Sequence, residues 1–404
     1  MIYRAYQSQS DFMAPLRTLA GHALASFDHS PFKTDNLYIR SIKASCEMLT
    51  RAGLSHHRPS FRIPSVNIDG REYGVSEEAV QVTPFGTLLR FRKDNDIEQP
   101  RVLLVAPLSG HFATLLRDTV NTLLPDHDVY ITDWHNARDV SLADGRFGLD
   151  EYVEHIVRFL EFLGPGAHII GVCQPCVAVL AATALMAQDN NPAQPRTMTL
   201  MAGPIDTRLN PTKVNELATS KPIEWFERNL IATVPAPHPG AGRRVYPGFV
   251  QLGAFMSMNL SRHVKAHLDL YAALVQGKDQ EAHTTKTFYD EYFAVLDLPA
   301  EFYLETVSQI FQEYALPLGK LEWRGTLVEP RAIRRTALLT VEGENDDICS
   351  VGQTLAAQEL CSALWPNRKR HHLQAGVGHY GVFSGRRWQG QIYPLVRNVI
   401  LAND

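Results

Sequence analysis

The stretch HIIGVCQPCVAVLAATALMA, residues 168–187, contains the features that decide the fold. A short apolar run ends at Gly171, and a long run of small and apolar residues begins just after Pro175. This order predicts a buried strand, a sharp turn and a buried helix. Because such a turn lifts its central side chain above the end of a sheet, Cys173 is the candidate nucleophile.

The residues around Cys173 suit this turn. Gly171 is the small residue needed before it, and Pro175 stands where the usual pattern has a second glycine. Proline fits the first turn of a helix because its φ angle is fixed and it has no N–H group. The positive end of the helix dipole favours a thiolate at Cys173, and the backbone N–H of Gln174 is the predicted oxyanion donor.

Two other interpretations of this segment stay open. Cys173 can be simply a buried small hydrophobic residue, as free cysteines often are. Cys176 lies three residues further on, on the same helical face, and is either a rival nucleophile or the partner of Cys173 in a redox CxxC pair. We favour Cys173, because the redox interpretation leaves the acid and the histidine described next without a role, and we assign Cys176 to packing under the turn.

Two later loops supply a carboxylate and an imidazole. An apolar strand ends in VEGENDD, residues 341–347, where Asp346 is the predicted acid and Asp347 the alternative. His379 lies between glycines in GVGHYG, residues 376–381, after what we predict to be the last strand. The order nucleophile, acid, histidine, each after a strand, is that of a hydrolase catalytic triad.

Two further loops are expected beside these residues. The segment APLSGH, residues 106–111, follows a strand at the position that supplies the second oxyanion N–H, and we predict that Leu108 or Ser109 donates it. We predict substrate contact for Ser109 and for Trp134, which ends the next strand; a supporting role or a packed turn is the alternative for Trp134. No histidine has metal-ligand spacing to cysteines or carboxylates, so we expect no metal site.

The rest of the chain frames this site. Strands and helices alternate before and after a central segment rich in Phe, Tyr and Leu, which predicts an α/β-hydrolase fold with a mostly parallel sheet flanked by helices. Apolar residues at helical spacing precede the sheet. We predict a helical N-terminal extension (residues 1–60), a catalytic core in two segments (residues 61–204 and 336–404) and a helical cap or lid (residues 205–335).

Composition narrows the classes of protein. A formal net charge of -4 argues against nucleic-acid binding, which needs a clustered excess of basic residues. The opening MIYRAY has no secretory signal pattern, and no apolar stretch has the length of a bilayer-spanning helix, so we expect a cytoplasmic protein. The 5 cysteines, an odd number at irregular spacings, fit reduced thiols.

With these motifs in hand, the sequence resembles the intracellular polyhydroxyalkanoate (polyhydroxybutyrate) depolymerases of bacteria. The resemblance spans nearly the whole chain and rests on the opening MIY, on GVCQPC at residues 171–176 and on GVGHYG. The cysteine box is the most specific motif, since the secreted depolymerases use a serine elbow and carry a signal peptide. The resemblance implies a triad of Cys173, Asp346 and His379, and hydrolysis of amorphous storage polymer at cytoplasmic granules.

Related functions remain as alternatives. Polyhydroxyalkanoate synthases also resemble this chain, but they usually retain the glycine that Pro175 replaces here. A granule-associated binding protein with a decayed site is a second alternative, although all three triad positions are filled. We expect no bound cofactor; coenzyme A is the alternative to water as acyl acceptor, because a thioester intermediate is energetically close to an acyl-CoA.

Overall fold

The computed structural model describes residues 2–28, 36–258 and 260–404. Met1, residues 29–35 and Asn259 lie outside the described residues. The strands in the described part are β1 Ser65–Ile68, β2 Arg71–Val82, β3 Gly86–Lys93, β4 Arg101–Val105, β5 Asp128–Trp134, β6 His168–Val172, β7 Thr197–Met201, β8 Ala232–Thr233, β9 Arg244–Tyr246, β10 Leu298–Pro299, β11 Glu322–Trp323, β12 Thr326–Leu327, β13 Ala337–Gly343 and β14 Lys369–Gln374.

The α-helices alternate with the central strands and also form the extension and the cap. They are α1 Ile2–Asp28, α2 Leu37–Arg51, α3 Arg117–Leu123, α4 Leu149–Leu163, α5 Cys176–Gln188, α6 Lys213–Thr219, α7 Ile223–Leu230, α8 Gly248–Met258, α9 Leu260–Gln276, α10 Asp279–Tyr292, α11 Ala300–Glu305, α12 Ala357–Leu360, α13 Gly385–Arg387 and α14 Tyr393–Leu401. Two π-helical segments, Thr306–Gln312 and Trp388–Ile392, adjoin α11 and α14.

A sheet of nine strands forms the centre, in the order β1-β2-β3-β5-β4-β6-β7-β13-β14. The strands from β5 to β14 in this order are parallel, whereas β1, β2 and β3 pair antiparallel at one edge. Parallel strands in one sheet have their carboxyl ends at the same edge. The loops after β4, β6, β13 and β14 therefore meet there.

Both faces of the sheet are covered by helices. Leu103 and Val105 of β4 point into a core shared with α4 and α5, whereas Val102 and Leu104 point into a second core shared with α3 and α14. This alternation follows from the period of two in a strand. Burial on both faces explains why the central strands are continuous apolar runs.

The predicted fold is present, with two local differences. The cap segment is mainly helical as predicted, but it also contains the short strands β8 to β12, which the sequence analysis missed. The alternation of strands and helices predicts a crossover helix between β13 and β14, and the structure has the short helix α12 there. The buried carboxylate of Glu342 accepts the N–H groups of Gly352, Thr354 and Leu355, so the chain there forms turns around that carboxylate.

Gly203, just after β7, lies against the turn between β6 and α5. A Cβ atom at this position would overlap the Cβ and Sγ atoms of Cys176 and lie 3.1 Å from the carbonyl oxygen of Cys173. The close approach of these backbones thus requires a residue without a side chain.

We predict that Gly203→Ala lowers the free energy of unfolding by about 1–3 kcal/mol, the usual cost of overpacking a tight core site. Gly253→Ala in α8 is the matched control, because a Cβ there meets no atom within 4 Å. The control should raise stability by about 0.5–1 kcal/mol, since alanine favours a helix over glycine. Urea unfolding measures both, and equal effects would contradict the packing argument.

Candidate active site

Cys173 occupies a strained turn at the end of the sheet. It joins β6 to α5 with a φ of 66°, in the left-handed region that non-glycine residues rarely adopt. Its N–H donates to the Met201 carbonyl at 2.8 Å, and its carbonyl accepts the N–H of Cys176 at 3.1 Å. These bonds hold the turn while the half-buried Cys173 side chain projects from it.

The acid loop brings Asp346 to His379. The distance from Asp346 Oδ2 to His379 Nδ1 is 2.8 Å, and the Asp346 residue is 6% exposed. Its Oδ1 accepts the backbone N–H groups of Ile348 and Cys349 at 2.9 and 2.8 Å, which fixes the carboxylate. Asp347, the alternative acid, is exposed. The geometry therefore brings Asp346, and not its neighbour, into contact with the histidine.

The charges around His379 favour an imidazolium. Burial acts to lower the pKa of this histidine, but the negative charges of Cys173 and Asp346 outweigh it and hold the pKa well above its usual value. A side-chain hydrogen bond with Cys173 also raises this pKa, so the thiol lies in contact with the ring. Because Nδ1 is hydrogen-bonded to Asp346, Nε2 is the ring nitrogen that can exchange a proton with the thiol.

Cys176 is packed beneath the turn. It is fully buried, and its Sγ lies 3.2 Å from the Gly171 carbonyl oxygen and 3.6 Å from that of Met201. Burial raises the pKa of this thiol far above its ordinary value. A buried, protonated thiol fits the packing role that we predicted better than the nucleophilic one. All five cysteines are free.

Gln174 and Leu108 meet beside the nucleophile. The backbone N–H of Gln174 has no acceptor among the described residues, so it remains available to an oxyanion. The Leu108 N–H, our other predicted donor, instead points at the side-chain Oε1 of Gln174 at 3.4 Å. The half-buried Ser109 follows in the same loop, and substrate contact by Ser109 stays a prediction.

Trp134 supports this loop from below. It is 2% exposed and stacks on Tyr152 with 4.5 Å between ring centroids. Its Nε1 and the Tyr152 hydroxyl both donate to the Ala106 carbonyl, at 2.9 and 3.1 Å. The substrate contact predicted for Trp134 is therefore corrected to a supporting role, because a buried ring with its N–H already bonded offers no free surface.

Residues that the sequence analysis missed join the cap to this loop. His111 is 4% exposed, its Nε2 lies 3.1 Å from the Tyr292 carbonyl, and burial lowers its pKa to about 4. The Leu296 N–H donates to the Gly110 carbonyl at 3.0 Å. The partners are more than 180 positions apart in the chain, and no sequence signal pairs them.

Within residues 2–28, 36–258 and 260–404, no group of three or more His, Cys, Asp or Glu side chains has the arrangement of a metal site. None of the helices in those segments combines the length and the apolar character needed to span a bilayer.

The sheet order and the position of the three side chains, after β6, β13 and β14, define an α/β hydrolase. Residues 202–404, half of the chain, match the family model described as "PHB de-polymerase C-terminus". The chain belongs to this polyhydroxybutyrate depolymerase family, and it is accordingly an ester hydrolase.

Solved structures of several hydrolases are similar to this chain at low identity. The thioesterase domain from the curacin biosynthetic pathway is 11% identical, covering 81% of this chain and 99% of its own, with a TM-score of 0.44. The 2-hydroxy-6-oxo-6-phenylhexa-2,4-dienoate hydrolase of Rhodococcus sp. strain RHA1 is 12% identical, with coverages of 81% and 99% and a TM-score of 0.46. The monoacylglycerol lipase of Paleococcus ferrophilus is 10% identical, with coverages of 78% and 99% and a TM-score of 0.42. No curated protein matches the chain.

The strained backbone at Cys173 leads to a stability prediction. Glycine adopts a positive φ without steric cost, so we expect the free energy of unfolding of Cys173→Gly to exceed that of Cys173→Ala by about 1 kcal/mol. Denaturant unfolding of the two variants measures the difference. Because neither variant has a thiol, the comparison separates the backbone from the side-chain chemistry. An alanine variant as stable as the glycine variant would show that this turn carries no strain.

The charges at His379 lead to a titration prediction. In Cys173→Ala the pKa of His379 should fall, because one of the negative charges that raise it is removed. Nuclear magnetic resonance of histidine labelled at Cε1 measures this pKa, with buried His111 as an unchanged reference. Since the folded pKa is raised, protonation of His379 stabilises the fold fully below its unfolded value of about 6.5, and this contribution disappears as pH rises through the folded pKa. An unaltered His379 titration would contradict the contact with Cys173.

Proposed function

We propose that this chain is an intracellular depolymerase that cleaves amorphous polyhydroxybutyrate through a cysteine acyl-enzyme and releases 3-hydroxybutyrate or short oligomers. The observation that carries this proposal is the turn that presents Cys173 beside the His379–Asp346 pair. Membership in the depolymerase family supports the polymer as substrate.

Acylation begins with attack of the Cys173 thiolate on the carbonyl carbon of an ester bond. The new S–C bond forms as the carbonyl electron pair moves to oxygen, and the Gln174 N–H stabilises the resulting oxyanion. When the carbonyl re-forms, the C–O bond to the rest of the polymer breaks. The leaving alkoxide takes a proton from the His379 imidazolium, and a thioester remains on Cys173.

Deacylation uses the same groups in reverse order. His379 accepts a proton from a water molecule, whose oxygen attacks the thioester carbonyl. Collapse of the second oxyanion breaks the S–C bond, releases the hydroxyacid and restores the thiolate. Asp346 holds the imidazole through Nδ1 and stabilises its positive charge in both halves of the reaction.

Thiolysis is a second outcome of the same intermediate. A thioester on Cys173 is close in energy to an acyl-CoA, so coenzyme A can replace water as the acyl acceptor. The product is then 3-hydroxybutyryl-CoA, and coenzyme A is a co-substrate in this version of the proposal. Neither version requires a metal or a resident cofactor.

We propose that the enzyme works in the cytoplasm at the surface of polymer granules. Several aromatic side chains of the cap are buried, such as Phe302 at 1% and Tyr292 at 4% exposure. Apolar side chains on α1 and α9 are instead exposed, with Phe12 at 76%, Leu19 at 64% and Leu268 at 66%. Exposed apolar surface of this kind supports contact with a water-insoluble polyester.

The first test measures release of 3-hydroxybutyrate from amorphous polymer granules by the purified protein, with and without coenzyme A. We expect Cys173→Ala and His379→Ala to lower the rate by about 10³-fold or more, as for loss of other catalytic nucleophiles and bases. Cys176→Ala is the matched control, because this thiol is buried under the turn, and it should retain activity. Product analysis distinguishes free acid from acyl-CoA.

Other outcomes of this assay would support other functions. A wild-type protein that releases nothing, with or without coenzyme A, would contradict the depolymerase proposal. Polymer formation from hydroxyacyl-CoA would favour a synthase-like acyltransferase. Binding to granules without any turnover would favour a granule-associated binding protein.

A further inference from the structure

The Gln174 side chain contacts the N–H group of Leu108. Gln174 is 9% exposed, and the distance from Leu108 N to its Oε1 is 3.4 Å. This distance is longer than the usual limit of about 3.2 Å for a well-formed N–H···O hydrogen bond. The contact therefore gives the Leu108 N–H a weak partner where burial would otherwise leave it without one.

The other end of the Gln174 amide is not anchored. Its Nε2 is buried and has no hydrogen-bond partner among the described residues. A buried donor without a partner destabilises the conformation that contains it. The side chain thus has one long hydrogen bond and one unmet donor, so no strong hydrogen bond opposes its rotation out of this position.

The loop that carries Leu108 is held by other residues. Before it, the Ala106 carbonyl accepts hydrogen bonds from the buried side chains of Trp134 and Tyr152. After it, the Gly110 carbonyl accepts the N–H of Leu296 from the cap. If the contact between Gln174 and Leu108 breaks, the loop stays in place and the glutamine side chain is the part that moves.

We propose that the Gln174 side chain is a displaceable partner of the second oxyanion donor. In the free enzyme it accepts the Leu108 N–H, and the oxyanion of the reaction replaces it. This inference rests on the proposed acyl-enzyme function. It gives Gln174 two roles, because its backbone N–H donates to the oxyanion while its side chain holds the other donor in reserve.

The contact between Gln174 and the Leu108 N–H makes the site discriminate between a neutral carbonyl and an oxyanion. A hydrogen bond to a charged acceptor is about twice as strong as one to a neutral acceptor. The substrate carbonyl and the amide Oε1 of Gln174 are both neutral and compete on similar terms, whereas the oxyanion displaces the amide. The Leu108 N–H is then bonded chiefly in the transition state, which is where binding accelerates a reaction.

Removal of the Gln174 amide should therefore speed up the reaction. Gln174→Met keeps the length of the side chain and the backbone N–H but has no amide oxygen, so the oxyanion meets a free Leu108 N–H. We expect kcat/KM for p-nitrophenyl butyrate, a soluble ester, to rise by about two- to tenfold, the worth of one neutral hydrogen bond. Gln174→Leu is the second apolar variant if the methionine variant does not fold.

Gln174→Glu is the opposite change. The carboxylate keeps an oxygen for the Leu108 N–H and binds it more tightly, so kcat/KM should fall by about tenfold or more. Alkylation by iodoacetamide is the control for the apolar variants. This reaction forms an S–C bond and expels iodide with its electron pair, and no oxyanion arises. Its rate at Cys173 should therefore be the same in Gln174→Met as in the wild type.

The outcomes separate this inference from the proposed function. Faster ester turnover in Gln174→Met, with unchanged alkylation, supports the proposal that the Gln174 side chain is displaced from the Leu108 N–H. Equal or slower turnover in a folded apolar variant overturns it, and would mean that the side chain is a fixed support or that Ser109 supplies the N–H. A wild type that hydrolyses no ester and is not alkylated at Cys173 contradicts the proposed function itself.

Discussion

The left-handed backbone of Cys173, with its φ of 66°, is the constraint on which the rest of the site depends. It turns the chain from β6 into α5 within a few residues, so the thiol projects from the end of the sheet. The turn is tight enough that Gly203 must approach Cys176 without a Cβ. Gly171 is confined in the same way, since a Cβ there would lie 3.1 Å from the side chain of Val179.

The parallel sheet brings the other groups to this turn. Because β13 and β14 are neighbours and run in the same direction, the loops that follow them meet at one edge, and Asp346 reaches His379 across 33 positions of sequence. Glu342, fully buried in β13, organises the chain after the acid loop by accepting the N–H groups of Thr354 and Leu355. One carboxylate thus interacts with the histidine, and another shapes the segment behind it.

The extension and the cap are connected to the same edge. Tyr3 of α1 is 1% exposed, and its hydroxyl donates to Oδ2 of the buried Asp297 at 2.6 Å. The neighbouring Leu296 donates its N–H to Gly110 in the oxyanion loop. Burial raises the pKa of Asp297, which the hydrogen bond from Tyr3 opposes. A continuous set of contacts therefore runs from the first helix to the loop beside the nucleophile.

The sequence by itself determined the alternating sheet and the three loops that carry Cys173, Asp346 and His379, because strand periodicity and small residues at turns are local signals. The tertiary structure decided between the predicted acid Asp346 and the alternative Asp347, since Asp346 is buried against His379 whereas Asp347 is exposed. It also moved Trp134 from a predicted substrate contact to a support under Ala106, because burial depends on neighbours distant in the chain. Hydrogen bonds between such distant groups leave no periodic trace in the sequence, so only the folded chain could reveal them.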